Sequence, residues 1–195
     1  MCGRYYIDEE MASELEKLID RLDKELQSRK FAGDVKPSMK APVIYCKDRQ
    51  KRADVFGWGQ KQYRGNGLII NARAESIYEK KMFSESVMSR RCIIPASGFY
   101  EWDASKNKFR FTDGEKKILY MAGIYQPEEN GNKFVIITTA ANFSMRPIHD
   151  RMPVILREDM LDIWLEDNDA AKEILRKVPP SLEKHTQLEQ MRLKF

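Results

Sequence analysis

Apolar positions along this chain change period twice. Over residues 9–28, Met11, Leu15, Leu18, Ile19, Leu22 and Leu26 recur at three- and four-residue steps, the spacing of one helical face. The other face is charged with both signs, so the spacing predicts a surface helix laid on a core. Asp8 is placed to cap it. Residues 2–7 read as a short strand, and Gly33 to Pro42 as a loop. From there the period shortens, and strands are predicted at 43–47, 52–58, 67–72, 91–101, 107–113, 118–125 and 133–139. Gly65-Asn66-Gly67, Asp113-Gly114 and Asn130-Gly131 supply turns between them. A short helix is read at 77–89. The helical pattern returns at 157–166 through Met160, Leu161, Ile163, Trp164 and Leu165, and again at 168–177. The tail after Pro179-Pro180 is polar and reads as extended. Many short strands between helices at the two ends predict an α+β fold with an antiparallel, barrel-like sheet.

Composition narrows the class. The chain has 195 residues, 42% hydrophobic, with nine Phe, eight Tyr and three Trp; that is enough to fill a core and excludes a disordered chain. The length fits one domain over 1–195. The net charge of +4 is compatible with an anionic partner but too small to imply one. The first residues do not read as a secretory signal, and no apolar run approaches the ~20 residues of a membrane span. The three cysteines, at 2, 46 and 92, form no C-x-x-C pair, which argues against a disulfide framework or a thiolate metal site. A cytoplasmic protein with reduced thiols is expected. Cys46 and Cys92 lie in apolar strand contexts and read as buried packing residues, so Cys2 is expected to be the first thiol labelled in the folded protein.

Four residues are candidates for chemistry. If Met1 is removed, Cys2 carries a free α-amine and a thiol on adjacent carbons. These titrate at about 8 and about 8.5 in unperturbed form, so both are partly nucleophilic near neutrality. Such a residue condenses with an aldehyde to a Schiff base, which its thiol then closes to a thiazolidine. His149 sits in the Pro-flanked turn MRPIHDRMPVIL, Glu101 closes the strand RCIIPASGFYEW, and Asn71 ends the run GLII. Taken singly, each fits a structural role: a bonded turn histidine, a solvated acid, a turn asparagine. Together they sit at strand ends and turns, where a rigid sheet often places functional groups. Arg4, Arg73 and Arg151 each lie within two residues of one of these candidates, and Trp58 and Trp102 add flat apolar surface. Arginine with aromatic faces is the make-up of a single-stranded nucleic-acid groove, although core packing is an equally good reading of the tryptophans.

The motifs MCGR at 1–4, INARAES at 70–76, RCIIPASGFYEW at 91–102, MAGIY at 121–125 and VIITTAANFSMRPIHDRMPVIL at 135–156 resemble, in this order, those of the SOS-response-associated peptidase (SRAP) family. The resemblance spans residues 1–156, leaving C-terminal helices and a tail at 157–195. It implies a compact α+β domain with a barrel-like antiparallel core flanked by helices. It also implies a function: sensing abasic sites in single-stranded DNA and trapping them as covalent DNA–protein crosslinks in the DNA damage response. Carried over by motif, Cys2 is the crosslinking residue and the nucleophile of a proposed autoproteolysis. Asn71 stands near the reactive terminus, Glu101 is the catalytic acid/base, and His149 is the histidine of the PIHDRMP motif. Arg4, Arg73 and Arg151 match basic positions near the DNA backbone, and Trp58 matches an aromatic position near the DNA path. Neither a metal nor an organic cofactor is implied. The partner is single-stranded DNA containing abasic sites, and a monomer away from membranes is expected.

The chain departs from the family pattern at one loop. Where relatives carry an Asn-x-Ala-Pro-Thr-like stretch, this chain has Asp34-Val35-Lys36-Pro37-Ser38, which bears on how the loop shapes a DNA groove. Two other readings stay open at this point. One is a cysteine peptidase using Cys2 and His149; the other is a non-catalytic single-strand DNA-binding module.

Overall fold

In the computed structural model the described residues are 2–22, 31–62, 65–114 and 118–186, without the side chains of 16–22. Chain order runs β1 (Tyr5–Ile7), α1 (Glu9–Leu22), β2 (Gly33–Val35), β3 (Lys40–Lys47), β4 (Gln50–Trp58), β5 (Gln60–Lys61), β6 (Leu68–Ile69), β7 (Asn71–Arg73), α2 (Lys81–Ser89), β8 (Arg91–Ala96), β9 (Gly98–Trp102), β10 (Lys108–Thr112), β11 (Leu119–Gln126) and β12 (Lys133–Ala140). β13 (Arg151–Pro153), β14 (Ile155–Leu156), α3 (Leu161–Glu166), α4 (Asn168–Arg176) and β15 (Glu183–Thr186) complete it.

The expected α+β fold with a barrel-like core is present. β12, β4, β3, β8 and β11 follow one another as hydrogen-bonded neighbours, and β11 pairs back to β12, closing a ring. β12 pairs antiparallel with β11 but parallel with β4 and β7, so the sheet is mixed. A second sheet of five strands, β15-β10-β9-β1-β2, lies against this ring. Alternation along the strands divides the core in two. On β12, Phe134 and Ile136 join an inner cluster with Cys2, Tyr5, Trp58 and Phe99. Val135 and Ile137 join an outer cluster with Ile77, Phe83 and Val87 around α2, and with Trp164 and Leu175 of α3 and α4. A strand buried on both faces reads as a continuous apolar run, which is what VIIT in β12 and CII in β8 are. Gly123 of β11 is required by this closeness, because a Cβ there would meet the Val135 carbonyl oxygen of β12 at 2.9 Å.

Asp8 caps α1 as expected: its Oδ1 accepts the Met11 N–H at 2.9 Å, and Glu9 and Glu10 occupy the first turn, where the helix dipole favours acids. Met11, Ala12 and Leu15 form its buried face. The predicted end of this helix at 23–28 and the side chains of Leu18, Ile19 and Leu22 lie outside the described residues. Two expectations are corrected. The stretch 33–42 is not all loop, because β2 pairs there with β1 and β3 already begins at Lys40. The strand predicted at 91–101 is two strands divided at Ser97, whose N–H turns to Tyr6 O of the neighbouring sheet. The tail after Pro179-Pro180 is extended as expected where it is described, and Glu183–Thr186 forms β15, which pairs with β10. No helix of the described residues is long and apolar enough to cross a membrane.

Candidate functional site

Cys2 lies three residues ahead of the start of β1 and is fully buried in the inner cluster. The register of β1 against β9 pairs Tyr5 with Phe99, so the first residues enter the core beside the strand that carries Glu101. Strand alternation turns Phe99 and Glu101 inward, and Glu101 is 4% exposed. Burial pushes the Cys2 thiol well up, and the Glu101 carboxylate pushes it further. The thiol points to the Arg4 carbonyl at 4.0 Å. A thiol so placed is protonated at neutral pH and is a poor nucleophile until a partner takes its proton.

Asn71 enters from the barrel side. It opens β7 and pairs with Ile136 in the middle of β12. Its Nδ2 donates to the Cys2 carbonyl at 3.1 Å. Its Oδ1 is buried and accepts no hydrogen bond among the described residues. One amide thus both tethers Cys2 and keeps an acceptor in reserve. Cys2, Asn71 and Glu101 therefore converge from three elements.

His149 lies in the turns joining β12 to β13, and its ring is partly exposed. Its Nδ1 lies 2.9 Å from the Arg151 N–H, which calls for an unprotonated Nδ1. Asp150 Oδ1 also lies 2.9 Å from Nδ1, a contact that calls for a proton on the same nitrogen, so the amide and the carboxylate compete for it.

The arginines differ in what already holds them. β7 and β13 flank β12, with Arg73 and Pro153 both opposite Thr138. Arg73 is exposed, and its side chain makes no ion pair or hydrogen bond among the described residues. Arg151 is clamped: it donates to both Glu75 oxygens at 2.7 and 2.8 Å and to Thr138 O at 2.7 Å. This pairing lowers the Glu75 carboxyl below its usual range. Arg4 spreads over the Trp102 ring at 5.4 Å and stands 3.7 Å from Asp34, so the acid that departs from the family pattern sits beside an expected DNA contact.

Trp58 requires correction as a surface for bases. It is wholly buried, lies 6.2 Å from Phe134 with the rings almost parallel, and donates through Nε1 to Ile70 O at 3.0 Å. Its faces are occupied by the core. The thiol order is also corrected. Cys92 is buried as expected, but Cys2 is equally buried, and Cys46 is the most accessible of the three. Sequence reasoning missed Tyr5 and Glu75 as members of this neighbourhood. The Tyr5 hydroxyl is buried without a hydrogen-bond partner among the described residues; burial raises its pKa, with a further contribution from Cys2. The only sequence signal for Tyr5 was its position three residues from Cys2. For Glu75 it was the acid two residues after Arg73.

A family model described as SOS response associated peptidase (SRAP) matches residues 1–193. The protein named abasic site processing protein YoaM of Bacillus subtilis is 33% identical over 194 residues, covering 90% of this chain and 84% of its own. Abasic site processing protein YoqW of the same organism is 32% identical over 192 residues, covering 90% and 85%. A crystal structure of a protein from Bacteroides thetaiotaomicron superposes with a TM-score of 0.76 at 25% identity, covering all of this chain and 95% of that one. The chain belongs to the SOS response associated peptidase (SRAP) family.

Proposed function

We propose that this protein captures abasic sites in single-stranded DNA as a covalent thiazolidine on Cys2, after removal of Met1. The observation that carries this reading is the convergence on Cys2 of a tethering amide with a spare acceptor, Asn71, and a buried acid, Glu101. The names of the Bacillus relatives support the substrate.

An abasic deoxyribose opens to an aldehyde at C1′. The Cys2 α-amine adds to this carbon, and loss of water gives a Schiff base. The Cys2 sulfur then bonds to the same carbon while its proton passes to the nitrogen. Aldehyde and aminothiol thus give thiazolidine and one water, with no change of oxidation state. Asn71 Nδ2 holds the Cys2 carbonyl, and Oδ1 accepts an N–H of the amine. Glu101 carries protons to the departing water and from the thiol. This order of steps suits a thiol that is held protonated, since the amine attacks first. The raised thiol also weighs against a peptidase that begins with a Cys2 thiolate. His149 moves a proton during reversal. Arg73, with Arg4 and Arg151, receives phosphates on either side of the lesion. All these groups come from one chain, acting as a monomer in the cytoplasm, where thiols stay reduced.

The test compares processed and Met1-retaining protein on an oligonucleotide with one abasic site. A denaturant-resistant, one-to-one adduct should form with the processed chain alone. An adduct formed at equal rate when the Cys2 amine is blocked would refute the mechanism.

A further inference from the structure

Strand alternation gives β9 a second face. Phe99 and Glu101 turn inward, so Gly98, Tyr100 and Trp102 turn outward. The register sets Tyr6 opposite Gly98, Arg110 opposite Tyr100 and Lys108 opposite Trp102. Three half-buried rings and three cations therefore share one surface. Arg4 lies 5.4 Å over Trp102, the Lys108 ammonium 3.6 Å over Tyr100, and Arg110 6.0 Å over Tyr6. The Tyr6 and Tyr100 rings are 5.3 Å apart and tilted by 34°. A Cβ at position 98 would come within 2.8 Å of the Tyr6 ring; the ring lies along the sheet in the space a side chain would fill. Asp34, opposite Tyr6, stands among these groups, 3.7 Å from Arg4 and hydrogen-bonded to Tyr100, and Glu183, opposite Thr112, bounds the far side.

This face meets the candidate site at one end. Arg4 is two residues from Cys2, and its carbonyl faces the Cys2 thiol. Trp102 directly follows Glu101. Away from that end the surface continues through Tyr100 and Lys108 to Tyr6 and Arg110. Flat rings interleaved with ammonium and guanidinium groups match single-stranded nucleic acid, whose bases stack while its phosphates pair. An acidic peptide would use the cations and leave the rings idle.

We propose that the outer face of the five-stranded sheet is a platform for single-stranded DNA flanking the captured lesion. The strand passes round the Arg4–Trp102 end, its phosphates meet Lys108 and Arg110, and its bases stack on Tyr100 and Tyr6. A phosphate drawing Lys108 aside frees the Tyr100 ring. The proposal rests on the abasic-site reading for where the strand begins, but not for its affinity.

Binding of lesion-free oligothymidylate, followed by fluorescence anisotropy, tests it. The double variant Lys108→Ala/Arg110→Ala should raise Kd about tenfold or more and flatten the log–log salt dependence by roughly 0.7 per lost phosphate contact. Tyr6→Leu/Tyr100→Leu should weaken binding about tenfold with the slope kept. Adduct formation with a short lesion-bearing oligonucleotide lacking flanks should be unchanged in both. In the unaltered protein, iodouracil placed in the flank should photocrosslink to Tyr6 or Tyr100, a readout that needs no variant to fold. Unchanged Kd and slope, photocrosslinks confined to other residues, or an equal loss with the short substrate would each overturn the platform. Absence of any covalent adduct in the unaltered protein would instead overturn the abasic-site reading, and the anisotropy result would still decide the platform.

Discussion

Replacing Asn71 with Ala removes the one side-chain bond that, among the described residues, ties Cys2 to the barrel. A net hydrogen bond contributes about 0.5–1.5 kcal/mol, and a buried carbonyl left without its donor costs about 1–3 kcal/mol. Against this, the substitution also deletes Oδ1, which is buried without a partner among the described residues, and so relieves part of the penalty. The backbone ladder of β7 with β12 is untouched. The balance is a destabilisation of about 1–2 kcal/mol, or roughly 2–8 °C in Tm for a chain of this size. The effect on rate should exceed that on stability, because loss of the tether lets the reacting residue drift, and a misplacement of about 1 Å costs on the order of 10²-fold. Asn71→Asp separates the two atoms: it keeps an acceptor but cannot donate to the Cys2 carbonyl when ionised. It should lose stability at least as much as Ala and crosslink slowly. Thermal melts and single-turnover crosslinking at saturating abasic DNA measure both. Asn71→Ala with unaltered Tm and rate would refute the tether, and Asn71→Asp at full rate would show that the donor is not needed.

Other outcomes follow from the same geometry. Arg73→Ala should flatten the salt dependence of single-strand binding by roughly 0.7 in log–log slope; Arg151→Ala should flatten it less, because Glu75 already matches its charge. Equal slopes for the two variants, measured by anisotropy over a salt series, would contradict this. In the folded, Met1-bearing chain a thiol reagent should modify Cys46 first, with Cys2 and Cys92 reacting only on unfolding; peptide mapping that finds Cys2 first would count against its burial. Glu101→Gln keeps the shape and removes the titrating proton, so crosslinking should slow by about 10²-fold or more. His149→Ala should still form the adduct but exchange it more slowly against competing abasic DNA; the opposite pattern would invert the two roles.

The sequence carried the apolar runs of β12 and β8, the cap at Asp8 and the helices at 161–176, because each depends on neighbours within a few residues. It did not carry β2 or β15. Their strands are three and four residues long, and what makes them strands is pairing with β1 and β10 far along the chain. The break at Ser97 is invisible for a similar reason: RCIIPASGFYEW is one apolar run, and only the Tyr6 carbonyl decides where it changes sheets. Cys2, Asn71 and Glu101 were legible as chemistry, through the resemblance and through their positions at strand ends. That Cys2 is buried was not, since nothing local sets the burial of a residue ahead of a strand. Trp58 shows the converse. An aromatic beside glycines suits a groove or a core equally well, and Phe134, 76 positions along the chain, decides for the core.

The central claim is that Cys2 joins DNA through both its nitrogen and its sulfur. The most direct measurement is mass spectrometry of the adduct formed by the processed protein with an abasic oligonucleotide. The account predicts a mass equal to the sum of the two reactants less one water, located after digestion on the peptide beginning at Cys2, and stable without borohydride. An adduct that maps to a lysine, or that survives only after reduction, would contradict it.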